Sequence, residues 1–166
     1  LISDQGGYVR ARLVHENGRF TGLAEAEIGS LFPDGRSRKK VSDVEDIAFD
    51  PARPERGVVV RPRQANAMVG LRLQNGEAVD FEPMVVGAEN RILRSNKGLE
   101  SVAYAPASSP AAGQIVAIAE RPPRGETNIP GWIAGAGKFQ IVRHDDFDVS
   151  SVRFLPNGDL ILLERR

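Results

Sequence analysis

Val44-Glu45-Asp46-Ile47-Ala48-Phe49-Asp50-Pro51 decides the fold. The chain repeats it as Leu99-Glu100-Ser101-Val102-Ala103-Tyr104-Ala105-Pro106 and again as Val149-Ser150-Ser151-Val152-Arg153-Phe154-Leu155-Pro156. Each copy is an alternating strand ended by proline, followed by a short turn and a second apolar run. The copies start at residues 44, 99 and 149. A self-similar period of about 50 residues built from strands is the mark of propeller blades or a comparable array.

Working outward, Leu1-Ile2-Ser3-Asp4 reads as the end of a buried strand, with a turn at Gln5-Gly6-Gly7. Tyr8 to His15 alternates as a strand, and Glu16-Asn17-Gly18 is a turn with Gly where positive φ is favoured. Arg19 to Ile28 can continue as a strand, or Leu23–Ile28 can form a helical turn. The first full copy predicts strands near 43–50, 57–61, 66–74 and 77–86, the last two joined by Asn75-Gly76. The second predicts strands near 98–105, 114–120 and 138–143, with a Pro- and Gly-rich insert over 122–137 that holds Trp132. The third supplies 149–155 and 159–164.

The expected fold class is therefore all-β: a β-propeller fragment of about three blades of four-stranded antiparallel sheets. In this reading residues 1–42 end a preceding blade, 43–97 and 98–147 are blades, and 148–166 start a following one. Closed rings have typically 4–8 blades. Open sheet edges are thus expected at both ends, with either continuation of the chain or self-association through those edges.

Composition narrows the function classes. Lys plus Arg and Asp plus Glu both number 22, so the chain lacks the basic surplus that duplex binding usually needs, and nucleic acid is not an expected partner. The run Arg36-Ser37-Arg38-Lys39-Lys40 follows a Pro33-Asp34-Gly35 turn and reads as a solvated loop tip. The absence of cysteine removes disulfides, thiolate catalysis and cysteine-based zinc sites. No stretch approaches the ~20 apolar residues of a membrane span. There is no Gly-x-Ser-x-Gly elbow, and Ser37-x-x-Lys40 lies in the basic loop, so a familiar serine hydrolase is unsupported.

Three segments resemble a bacterial family: Asn96–Ala103, Ile118-Ala119-Glu120-Arg121-Pro122 and Phe154–Arg166, together with Ile2–Gly6 and the strand Tyr8–Arg12. They are similar, in order and over nearly the whole chain, to the phytase-like, or "esterase-like activity of phytase", family. The resemblance implies an exported β-propeller, periplasmic or secreted, six-bladed and about twice this length. It also implies hydrolysis of an ester or phosphoester, a small-molecule substrate. The chain departs from the family pattern at Glu45-Asp46, where a Glu-Gly pair is usual, and at Ser150-Ser151, where an acid is common.

Aligning the copies gives two registers of acids. Glu45 and Glu100 share a place at the start of the first strand, with Ser150 third; Asp4, Glu120 and Glu164 are read as ending the second strand, with Val60 breaking the series. Innermost strands line a propeller's channel, so matched positions face one another across it. Carboxylates gathered there raise each other's pKa unless a cation or arginine neutralises them. A hard divalent cation such as Ca²⁺ suits such a ring, with Asp4, Glu45 and Glu100 as its ligands. It would polarise a phosphoryl or carbonyl oxygen and acidify a water. Glu100, Glu120, Glu164, Arg121 and Arg165 are the catalytic candidates. The opposing reading makes Glu120-Arg121 and Glu164-Arg165 ion pairs that hold blades in register.

Other signals point to structure. His15 and His144 sit in polar, turn-like contexts, and His144–Asp148 lacks the spacing of a Ca²⁺ loop. Gly135-Ala136-Gly137-Lys138 lacks the first glycine of a phosphate loop, because Trp132 stands there. Trp132 reads as packing under its loop. Two rivals to the hydrolase follow: a non-catalytic propeller that binds a ligand or protein through its rim loops 29–42 and 122–137, and a lactone hydrolase-like propeller built on the same acid-plus-metal logic.

Overall fold

A computed structural model describes residues 1–31, 43–61, 68–85, 93 and 98–166. The Arg36–Lys40 run, most of the loop 29–42 and the expected Pro62-Arg63 turn lie outside the described residues. The described residues form twelve strands and no helix, and so none long and apolar enough to cross a membrane.

The strands are β1 (Gly7–Glu16), β2 (Arg19–Ser30), β3 (Asp46–Asp50), β4 (Arg53–Val60), β5 (Met68–Gln74), β6 (Glu77–Met84), β7 (Leu99–Tyr104), β8 (Ile115–Ala119), β9 (Ile129–Ile133), β10 (Gly137–Ile141), β11 (Asp148–Phe154) and β12 (Leu160–Arg165). Two four-stranded antiparallel meanders, β3-β4-β5-β6 and β7-β8-β9-β10, stand between the hairpins β1-β2 and β11-β12. The first strands of successive sheets adjoin: β7 packs against β3 on one side and β11 on the other. Meanders whose first strands gather side by side are blades about a common axis. The chain is a β-propeller fragment.

Chemistry explains each element. Asn17 and Gly18, and Asn75 and Gly76, have φ of 51°, 75°, 54° and 83°, the positive pair that a two-residue hairpin requires. β8, Ile115-Val116-Ala117-Ile118-Ala119, is buried throughout, as an unbroken apolar run in a sandwiched strand should be. Along β4 the pleat divides the core. Val58 and Val60 join Leu99, Val102, Ile118, Trp132 and Val152 between the sheets, while Val59 faces Leu31, Val69 and Leu71 on the side of the N-terminal hairpin. Leu23–Ile28 is strand, not helix.

The insert over 122–137 is corrected. Its Pro and Gly content suggested a rim loop, but Ile129–Ile133 is β9, the third strand of its blade. Phe139 lies opposite Gly131, and its ring fills the space that a Cβ on Gly131 would enter. The aromatic on β10 thus makes up for the missing side chain. Trp132 is a core residue, 2% exposed.

Candidate functional site

The same irregularity opens two of the innermost strands. In the second sheet Leu99 pairs with Ala119 and Ser101 with Ile118, leaving Glu100 as an extra residue. In the last hairpin Val149 pairs with Glu164 and Ser151 with Leu163, leaving Ser150 extra. In the first sheet Asp46 pairs with Val60, whose carbonyl also accepts from the Glu45 N–H at 3.0 Å. A bulge bends its strand and re-aims the side chain it carries. Here it falls at Glu100 and Ser150, and Glu45 holds the matching place in the first sheet.

This register corrects the second series of acids. Val60, Ile118 and Leu163 are equivalent, since they face Asp46, Ser101 and Ser151, the third residue of each copy. Two residues on, Glu120 is matched by Arg165, not by Glu164. Asp4 belongs to the same series: its carbonyl accepts from Val44 N–H at 3.0 Å, as the Glu120 carbonyl accepts from Val149 N–H at 2.9 Å. The similar phrases Glu120-Arg121 and Glu164-Arg165 are therefore one residue out of step. By alternation Glu164 faces the other side of β12 from Arg165, and it makes no ion pair with another described residue.

Arg165 draws the site together. Its Nη2 lies 3.2 Å from Glu100 Oε1 and 3.7 Å from Glu120 Oε1. Glu100 and Glu120 are 8% and 5% exposed, so both carboxylates are lodged in the protein beside a guanidinium. Glu45 is exposed as a residue, yet its carboxyl is held above the usual range. Partial loss of solvent is the main cause; the charge of Asp43, and then those of Glu120 and Asp4, push the same way, and Arg165 opposes them. The first-strand acids, Asp4, Glu120 and Arg165 thus meet at one end of the innermost strands. Arg121 belongs to a chain of pairs beside them. It bonds Glu120 at 3.2 Å and also Asp148, which takes Arg143 Nη2 at 2.7 Å. That chain stitches the second blade to the third.

The expected Ca²⁺ set of Asp4, Glu45 and Glu100 does not fit this arrangement. Among the described residues no three His, Asp or Glu side chains are disposed to hold a metal, and a guanidinium sits on Glu100.

Sequence reasoning missed Asp46 and Arg153. Arg153 Nη1 and Nη2 reach Asp46 Oδ2 and Oδ1, both at 2.9 Å, across β7, while Val102 N–H donates to Asp46 Oδ2 at 3.1 Å. The signal was present: Asp46 stands where the other copies have Ser101 and Ser151, and Arg153 where they have Ala48 and Ala103. Past this pair, at the other end of the strands, a hollow of about 510 Å³ is lined by Phe49, Tyr104, Phe154 and the prolines that end the repeats. An apolar hollow of about 520 Å³ lies between the β1-β2 hairpin and the first sheet, and its wall brings no acid together with a base.

No protein-family model matches the chain, and no curated protein matches it. Among solved structures, it is similar to a chain of the "Crystal Structure of Mitotic Checkpoint Complex", at 13% identity and a TM-score of 0.44. The match covers 83% of this chain and 39% of that one, so this chain spans well under half of that neighbour's length.

Proposed function

We propose that this chain carries part of the active site of an exported propeller hydrolase acting on esters or phosphoesters, in keeping with its phytase-like resemblance. The observation that carries the reading is that two unlike carboxyls, at matching places on the innermost strands, share the influence of one guanidinium, that of Arg165. Glu45 is biased toward its protonated form, while Glu100 is lodged against Arg165. Two acids whose environments differ in this way are suited to divide acid and base roles. Glu45 donates a proton to the leaving alkoxide, and Glu100 takes one from the attacking water. Arg165, whose side chain is 61% exposed, faces the developing negative charge on the carbonyl or phosphoryl oxygen.

The test is turnover of nitrophenyl acetate and nitrophenyl phosphate by the purified protein, beside Glu45→Gln and Glu100→Gln. Loss of a proton-transfer group should lower kcat by about 10²-fold or more. Turnover absent in the unaltered protein, or unchanged in both variants, would falsify the hydrolase.

One observation favours the non-catalytic binding module instead. Glu120 and Arg121 are both spent on pairs that join blades. If turnover is absent, that reading takes precedence.

A further inference from the structure

We infer that Arg165 is a built-in counter-cation, which holds the place that a divalent ion would otherwise take among the carboxylates. The inference deepens the proposed hydrolase by making its site metal-independent, but it stands on geometry that does not require turnover.

Three observations converge on it. First, the paired register puts Arg165 in the series of Asp4 and Glu120, so the last hairpin brings a cation to a place held by an acid in the second sheet and by Asp4 ahead of the first. Second, its Nη2 is within 3.2 Å and 3.7 Å of oxygens from Glu100 and Glu120, carboxylates of two different strand ends. Third, it is the charge that offsets Asp43, Glu120 and Asp4 at Glu45. Like charges crowded at low solvent access need a counter-charge. A guanidinium meets that need with directed N–H donors and stays charged throughout the ordinary pH range. A hard cation would have to displace it, because both seek the same oxygens.

The experiment is calcium titration of the whole protein by calorimetry and thermal melting, with unaltered protein, Arg165→Gln, Arg165→Lys and Glu100→Gln. The unaltered protein and Arg165→Lys should show no saturable binding and no shift in Tm. Arg165→Gln removes the positive charge shared by Glu100 and Glu120, and should gain saturable Ca²⁺ binding and a Tm that rises with calcium. Saturable binding by the unaltered protein that Glu100→Gln abolishes would overturn the inference, however Arg165→Gln behaves. A folded Arg165→Gln that still ignores calcium would overturn it too. If Arg165→Gln fails to fold without calcium and folds with it, the inference is supported. If it folds under neither condition, the titrations of unaltered protein and Arg165→Lys decide.

Discussion

Asp46 and Arg153 are 107 residues apart in the chain, yet Arg153 Nη1 lies 2.9 Å from Asp46 Oδ2. The pair crosses β7, so one contact ties the innermost strands of three successive blades. Asp46 is 6% exposed and also accepts from the Ile47 and Val102 N–H groups, whereas the Arg153 side chain is 52% exposed. Arg153→Ala strands the buried carboxylate. A fully buried pair loses about 3–5 kcal/mol on such a break; with half of the arginine in solvent, about 2 kcal/mol is expected. Urea denaturation should show this loss in Arg153→Ala. Asp46→Asn/Arg153→Ala should recover part of it, because an amide leaves no buried charge. A double variant no better than Arg153→Ala would refute the account.

Asp148, 9% exposed at the start of β11, is held between Arg121 of the second blade and Arg143. Arg143 Nε also donates to the Phe147 carbonyl at 2.7 Å, which fixes the approach of the chain to β11. Asp148→Ala should cost about 2 kcal/mol, since it leaves two partly buried guanidinium groups without their shared carboxylate. The loss should appear first as faster hydrogen exchange in β11 and β12, whose hairpin this junction anchors. Uniform acceleration across all sheets would show that the junction is not local.

The repeat made the architecture legible because alternation and terminal proline are written into every innermost strand. Asn75-Gly76 likewise announced its hairpin, since few residues accept two successive positive φ values. What was hidden lay in register. The connection between the first two strands runs from Tyr104 to Ile115 in one copy and only from Phe154 to Leu160 in the other, so matching the phrases Glu120-Arg121 and Glu164-Arg165 set Glu164 beside Glu120 when Arg165 holds that place. β9 was hidden differently. Ile129-Pro130-Gly131 carries loop chemistry, and only the Phe139 ring across the ladder shows why it forms a strand. The acids and Arg165 could be named in advance, but that Arg165 reaches Glu100 and Glu120 could not.

That covering of Gly131 is itself testable. A methyl group at Gly131 would lie within the Phe139 ring, forcing the ring or the β9 backbone to shift. Overpacking of this kind costs typically about 1–3 kcal/mol. Gly131→Ala should therefore lower Tm by several degrees. In a Phe139→Ala background the same substitution should be nearly neutral, because the space is vacant there. Equal costs in the two backgrounds would mean that the ring is not the obstacle.

Glu45 sets a pH dependence whose sign is fixed by its surroundings. Its folded pKa is raised above the unfolded value of about 4.5, chiefly by lost solvent and next by Asp43. The folded state therefore holds that proton more tightly than the unfolded chain does. Its contribution is fully present below about pH 4.5 and is lost as pH rises through the raised folded value. Above that window the ionised carboxyl opposes folding. Glu45→Gln keeps the neutral form at every pH, so it should match the unaltered protein near pH 4 and exceed it in stability at pH 7. Solvent access at the residue limits the gain to under about 1 kcal/mol. Urea midpoints measured from pH 4 to 8 would show the two curves parting as pH rises. If Glu45→Gln were instead the less stable protein at pH 7, Glu45 would be gaining more from Arg165 than it loses to burial and its acidic neighbours, and the proposal that it donates a proton would fail with it.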